Sequence, residues 1–172
     1  AKLGWMREGR SLTRINWRDM GPEELGSVYE SLLELVPDIS ADGRVFRFAN
    51  ADASKGNARK TSGSYYTPDS LVQELLDSAL EPVIAQRTHG AADPQAALLS
   101  ITVCDPACGS GHFLLGAARR LATRLAQLRA QGTPSGEDFR HALRDVVTHC
   151  IFGVDRNPMA IELARMSLWL EA

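Results

Sequence analysis

Residues 105–114 read DPACGSGHFL, a glycine-rich turn between two segments of different periodicity. Ahead of it, Leu98 to Cys104 (LLSITVC) is short, apolar and rich in β-branched residues, which predicts a buried strand ending at Asp105. Behind it, Leu114, Ala118, Leu121, Leu125 and Leu128 recur at helical spacing on one face, with Arg119, Arg120, Arg124 and Arg129 on the others. A strand, a tight turn and a helix in that order aim backbone N–H groups and the positive helix end at whatever lies above the strand. Paired glycines, Gly109 and Gly111, suit a backbone that turns sharply and admits a ligand at close range.

Three classes of nucleotide-type ligand use such turns, and the side chains here separate them. A dinucleotide fingerprint needs Gly-x-Gly-x-x-Gly, but counting from Gly109 and Gly111 the third position holds Leu114. A phosphate-cradling loop needs Lys and then Ser or Thr after its last glycine, whereas Ala117 and Ala118 follow Gly116. Asp105 decides between the classes. A carboxylate at the strand end repels a pyrophosphate and attracts a ligand bearing an ammonium or sulfonium group. S-adenosylmethionine carries both cations and no phosphate, and is the expected cofactor.

The remaining chain reads as a succession of elements. Gly21-Pro22-Glu23-Glu24 opens a predicted helix whose Leu25, Val28, Tyr29, Leu32, Leu33 and Val36 share a face before Pro37 ends it. Asp42-Gly43 predicts a turn, and Val45 to Phe48 a short strand. Residues 49–63 are small and polar and include Lys55, Arg59 and Lys60, which predicts a mobile loop suited to a phosphate contact. Thr67-Pro68-Asp69 opens a second helix, with Thr67 as cap, Pro68 in the first turn, and Val72, Leu75, Leu76, Ala79 and Val83 toward the core. A connection from Gly90 to Pro94 leads to the strand before the turn.

Beyond a break at 131–136, Ser135 starts a helix with Phe139, Leu143, Val146 and Val147 on one face. Ile151 to Val154 predicts a second strand, and Asn157-Pro158 starts the last helix. Asp155 ends that strand, where an acid can accept hydrogen bonds from both hydroxyls of a ribose.

With 172 residues and 44% hydrophobic content, the chain can bury one core. Its net charge of -2 carries no global nucleic-acid signature. No apolar run predicts a membrane span, and no leader pattern is read at the start. Cys104, Cys108 and Cys150 are odd in number and unlike a disulfide framework, which points to a reducing cytoplasm. Cys104, Cys108 and His112 recur every four residues, but that spacing aligns metal ligands only on a helix. Pro106, Gly109 and Gly111 argue against one there, so no metal site is expected. The arginines after the turn read as a solvated helix face rather than a DNA surface.

Three segments together resemble the adenine-specific DNA methyltransferases, especially the amino-methylating enzymes of restriction-modification and phage-defence systems. DPACGSGHFL is similar to that family's cofactor motif, GSYYTP at 63–68 to its Tyr-Thr-Pro motif, and GVDRNP at 153–158 to the acid-bearing end of its second strand. ELGSVYESLLEL at 24–35 resembles the helix that precedes these motifs in large fused restriction-methylases.

The resemblance implies an α/β fold: an N-terminal helical segment and basic loop over residues 1–62, then the opening part of a Rossmann-like, S-adenosylmethionine-dependent methyltransferase domain over 63–172. It implies a cofactor site drawn from Tyr65, Tyr66, Thr67, Pro68, Asp105, Pro106, Ala107, Gly109, Ser110, Gly111, Phe113, Asp155 and Arg156. Asp105, Gly109 and Gly111 would position the methionine end and Asp155 the ribose, while Tyr66 and Thr67 would close the other side. The implied reaction moves the sulfonium methyl to adenine N6 in double-stranded DNA, with the base extruded. The implied setting is a cytoplasmic protein working with a restriction or specificity domain or subunit.

Adenine's exocyclic amine is a poor nucleophile because its lone pair is delocalised into the ring. The family meets this with an Asn/Asp-Pro-Pro-aromatic motif that accepts hydrogen bonds from the amine and stacks the flipped base. No Pro-Pro pair occurs in this sequence, and the nearest string, Asn157-Pro158-Met159, sits at a helix start just after the ribose acid. The expectation is the cofactor-binding N-terminal part of a methylase core, without catalytic residues and inactive alone. Two features depart from the family pattern: Arg156 stands where an apolar residue usually meets the cofactor's adenine, and the interval from Gly111 to Asp155 holds an extra predicted helix. Two alternatives stay open. One is a methyltransferase for RNA or a small molecule, which should lack the Tyr-Thr-Pro segment; the other is a non-catalytic module that docks DNA or a subunit.

Overall fold

The computed structural model describes residues 4–9, 11–14, 37–48, 67–130 and 132–172. The expected helix at 24–36 and the basic loop at 49–63 lie outside these residues. Two antiparallel hairpins come first. Strand β1 (Trp5–Glu8) pairs with β2 (Ser11–Arg14), and β3 (Pro37–Ile39) pairs with β4 (Phe46–Phe48). The second hairpin turns where Asp42-Gly43 predicts it, with Gly43 donating its N–H to the Ser40 carbonyl at 2.8 Å.

A continuous helical run follows: α1 (Asp69–Leu75), a π turn (Leu76–Leu80) and α2 (Glu81–Thr88). Thr67 does not cap it. Pro68 takes the cap position with an extended backbone and no side-chain cap bond, and its carbonyl accepts the N–H groups of Leu71 and Val72. The core face also differs from the expected one: Val72, Leu76, Leu80 and Ile84 are buried, whereas Leu75 and Val83 are 49% and 37% exposed. The π turn widens the helix locally, so buried positions recur every four residues instead of drifting at 3.6.

The strand expected from Leu98 is shorter than its apolar run. Leu98 and Leu99 instead finish a helix, α3 (Pro94–Leu99), and only β5 (Val103–Asp105) is extended. Local chemistry explains the difference. Pro94 occupies the first turn, and the Asp93 carboxylate accepts the N–H groups of Gln95 and Ala96, both at 3.0 Å, so a capped helix start overrides an apolar run that suits either structure.

Beyond the turn come α4 (His112–Arg129), α5 (Gly136–Cys150), β6 (Ile151–Gly153) and α6 (Pro158–Glu171). Strands β5 and β6 are parallel, with Val103 opposite Ile151 and Asp105 opposite Gly153. Parallel neighbours need a long crossover, and α4 and α5 supply it, which makes the architecture α/β. A capping box starts α5: Ser135 Oγ accepts the Asp138 N–H at 3.2 Å, and the Asp138 carboxylate accepts the Ser135 N–H at 2.8 Å. Asn157 caps α6 by accepting the Met159 N–H.

The core joins Val72, Leu98, Leu121, Leu125, Leu143, Val146 and Cys150, all fully buried. Leu128, expected on the same face of α4, is 39% exposed. Gly116 brings α1 close to α4, since a Cβ there would lie 3.0 Å from Val72 Cγ1. The arginines of α4 brace neighbouring elements. Arg119 pairs with Glu171, Arg120 with Asp77 and Glu81, Arg124 with Glu81, and Arg129 with Asp145. Among the described residues, no helix is long and apolar enough to cross a membrane.

Candidate cofactor site

The ends of β5 and β6 are joined through backbone. Val154 donates its N–H to the Asp105 carbonyl at 2.9 Å, and Cys108 donates to the Val154 carbonyl at 3.0 Å. The chain thus leaves β5, folds over the end of β6, and enters α4 through Gly109 and Gly111. Both glycines have left-handed backbone, with φ of +54° and +89°, which a residue bearing Cβ resists. Gly111 is the N-cap of α4, and no side chain caps that end. The 18-residue helix therefore begins at the turn without a carboxylate in its first turn.

Two carboxylates flank the turn. Asp105 folds back so that its Oδ1 accepts the Ala107 N–H at 3.0 Å. Asp155 is fixed by two donors: the Gly109 N–H reaches Oδ2 and the Asn157 N–H reaches Oδ1, each at 2.8 Å. Cys108 lies between these acids and is 7% exposed. Burial pushes its thiol above the usual 9.0, and the charges of Asp105 and Asp155 push it the same way. The turn therefore combines backbone donors with an acidic rim, a field that suits a cationic ligand better than a phosphate.

The other expected site residues fall into separate groups. Pro106, Ala107 and Arg156 are exposed, Ser110 is half-buried, and Phe113 rests against the hydrophobic core. Thr67 and Pro68 immediately precede Asp69, whose carboxylate lies 3.9 Å from His112 Nε2, so the start of α1 stands beside the start of α4. Tyr65 and Tyr66 lie outside the described residues. Gly111 is buried, and a Cβ on it would come within 2.9 Å of Ala164 Cβ, so this glycine also lets α6 rest against the turn.

Sequence reasoning placed Gly153 in the GVDRNP motif without giving it a role, and did not single out Ala164. A glycine inside a strand is the one local sign that some other group approaches closely there. Among the described residues, no group of three His, Cys, Asp or Glu side chains is placed to hold a metal ion. A cavity of about 740 Å3 lies elsewhere, lined by residues that include Ile84, His89, Leu98, Arg124 and Leu128, and no turn residue reaches it.

A glycine turn followed by a second strand with an acid two residues beyond its end is the pattern on which comparison with known proteins bears. The N-6 DNA methylase family model matches residues 22–172. This chain belongs to the N-6 DNA methylase family. It is 35% identical over 115 residues to the adenine-specific methyltransferase PglX of Streptomyces coelicolor, covering 67% of this chain and 8% of PglX. It is 25% identical over 183 aligned residues to a Methanocaldococcus jannaschii protein whose name describes a type II restriction enzyme and methyltransferase. That match covers 88% of this chain and 14% of the other. The chain thus spans only 8% and 14% of these two curated relatives. No solved structure matches it.

Proposed function

We propose that this chain is the S-adenosylmethionine-binding part of a site-specific DNA methyltransferase acting on adenine N6, within a restriction-modification or phage-defence system. The observation that carries this reading is the hydrogen bond from Gly109 to Asp155, which joins the glycine turn after the first strand to the acid after the second. Membership of the N-6 DNA methylase family supports the choice of adenine.

The residues present fit that cofactor. Each Asp155 oxygen accepts one backbone N–H and retains a further acceptor direction, so the pair can take both hydroxyls of a ribose. Asp105 Oδ1 accepts the Ala107 N–H, and the carboxylate's charge suits the ammonium group of the methionine end. Gly109 and Gly111 give the turn its left-handed backbone, and Thr67 and Pro68 precede α1, whose start lies beside that of α4. The cofactor, when bound, supplies a methyl group made electrophilic by its sulfonium.

Activation of the amine requires other groups. Accepting hydrogen bonds from the exocyclic N–H groups and stacking an extruded adenine need paired acceptors and an aromatic platform. No Pro-Pro pair in this sequence offers that motif, so the chain binds the methyl donor and does not transfer it alone. Residues 63–172 form the cofactor-binding half of a Rossmann-like domain, and 1–62 a separate N-terminal segment. Double-stranded DNA is engaged by the longer protein, in the cytoplasm, together with a restriction or specificity domain or subunit.

A radiolabelled methyl-transfer assay on adenine-containing duplex DNA tests this. A longer form of the protein should produce N6-methyladenine, and this chain no more label than its Gly109→Arg variant. Label on RNA, on a small molecule or on cytosine from the longer form would contradict the reading. Incorporation by this chain above the Gly109→Arg control would show that it carries its own catalytic groups.

A further inference from the structure

Gly153 closes β6, directly opposite Asp105 and two residues before Asp155. A Cβ on Gly153 would lie 2.6 Å from Leu114 Cδ1, 3.1 Å from Cys108 Sγ and 3.4 Å from Cys108 Cβ. The first is shorter than real Cβ contacts and the second is tight, so a side chain here makes the Leu114 tip swing aside and Cys108 give way slightly. Backbone freedom is not the reason for this glycine, because Gly153 is absent from the left-handed region that Gly109 and Gly111 occupy. On backbone entropy alone, alanine would be the better strand residue. What the position requires is the absence of a methyl group.

Both neighbours are buried. Leu114 is 2% exposed and Cys108 is 7% exposed. Cys108 is also the point where the turn is fastened to β6: its N–H reaches the Val154 carbonyl at 3.0 Å, and the next N–H, that of Gly109, reaches Asp155. A methyl at residue 153 is met by movement of the Leu114 and Cys108 side chains, and any movement taken up by Cys108 carries the turn away from β6. That displacement lengthens the bond to Val154 and draws the Gly109 N–H off the Asp155 carboxylate.

We infer that Gly153 is a positioning residue of the cofactor turn: its missing side chain seats Cys108 and Leu114 against β6 and so sets the Gly109 amide on Asp155. The consequence for S-adenosylmethionine rests on the functional reading above, whereas the clamp itself does not. Gly153 touches no ligand in this account and acts only through the residues it admits.

The test compares the wild-type chain with Gly153→Ala, Leu114→Ala and the double variant. Titration with S-adenosylmethionine gives affinity, and amide hydrogen exchange is followed at Gly109 and, as a core reference, at Val146. Gly153→Ala should weaken binding by about tenfold or more and speed exchange at Gly109 while leaving Val146 protected. The double variant, with room restored at Leu114, should regain most of the affinity and of the Gly109 protection. Wild-type affinity and wild-type Gly109 exchange in Gly153→Ala would overturn the inference. If Gly153→Ala also loses protection at Val146, the double variant decides: recovery at Gly109 supports the role, and continued loss overturns it. If Gly109 exchange rises in Gly153→Ala but the wild-type chain binds no S-adenosylmethionine, the clamp stands and the cofactor reading fails.

Discussion

The amide of Gly109 donates to the carboxylate of Asp155 at 2.8 Å, across 46 positions of sequence. The bond locks the turn after one strand to the second residue beyond its parallel neighbour, and Asn157 holds the other carboxylate oxygen. The side chain is thereby fixed before any ligand arrives, so little rotamer freedom is lost on binding.

Asp155→Ala should therefore weaken S-adenosylmethionine binding by roughly 2 to 4 kcal/mol, since it removes a charged acceptor for two hydroxyl groups and frees the turn. Asp155→Asn keeps one acceptor oxygen and should lose less. Titration calorimetry on the three proteins checks the order. Equal affinity in wild type and Asp155→Ala would remove the ribose assignment.

The cysteines should differ in reactivity. Cys104 is exposed, whereas Cys108 and Cys150 are buried. Burial raises the thiol of each buried cysteine, and for Cys108 the charges of Asp105 and Asp155 add to it. Iodoacetamide on the folded chain near pH 8 should mark Cys104 and spare the other two, as read by peptide mass spectrometry. The same shifts set an alkaline limit. Once pH passes the ordinary 9.0, thiols of the unfolded chain ionise while the buried pair stays protonated, so folding stability should fall from there upward.

Ser135→Ala should lower the melting temperature by about 3 °C, by removing the cap of α5. Its partner Asp138 has a carboxyl held below the usual 3.8 by the Ser135 hydroxyl and backbone. That contribution is present above 3.8 and is lost as the pH falls through the lower folded value. The Ser135→Ala difference should therefore shrink in strong acid, which thermal melts across the acid range will show.

Elements with both a cap and a clean period were legible in the sequence. Ser135 and Asn157 mark helix starts that the structure places at the neighbouring residues, and Asp105 and Asp155 follow from reading two strands to their ends. The errors have local causes. Leu98 and Leu99 fit strand or helix equally by hydrophobicity, and Asp93 with Pro94 decided for helix. The π turn at Leu76–Leu80 shifted the buried face of α1 and α2, and no residue type announces such a turn. In the site, the glycines were readable as a turn, but not what stands against them. The contact of Gly111 with Ala164, and the seat that Gly153 makes for Leu114, depend on distances between residues far apart in sequence.

We propose that the turn between Asp105 and Gly111, together with Asp155, holds S-adenosylmethionine. Amide chemical shifts of the isotope-labelled chain, followed while the cofactor is added, test it most directly because they report binding and place together. The account predicts saturable shifts concentrated at residues 105–111 and 155–157, and their loss in Asp155→Ala. No shifts at all, or shifts centred on the cavity lined by Ile84, His89, Leu98 and Arg124, would contradict it.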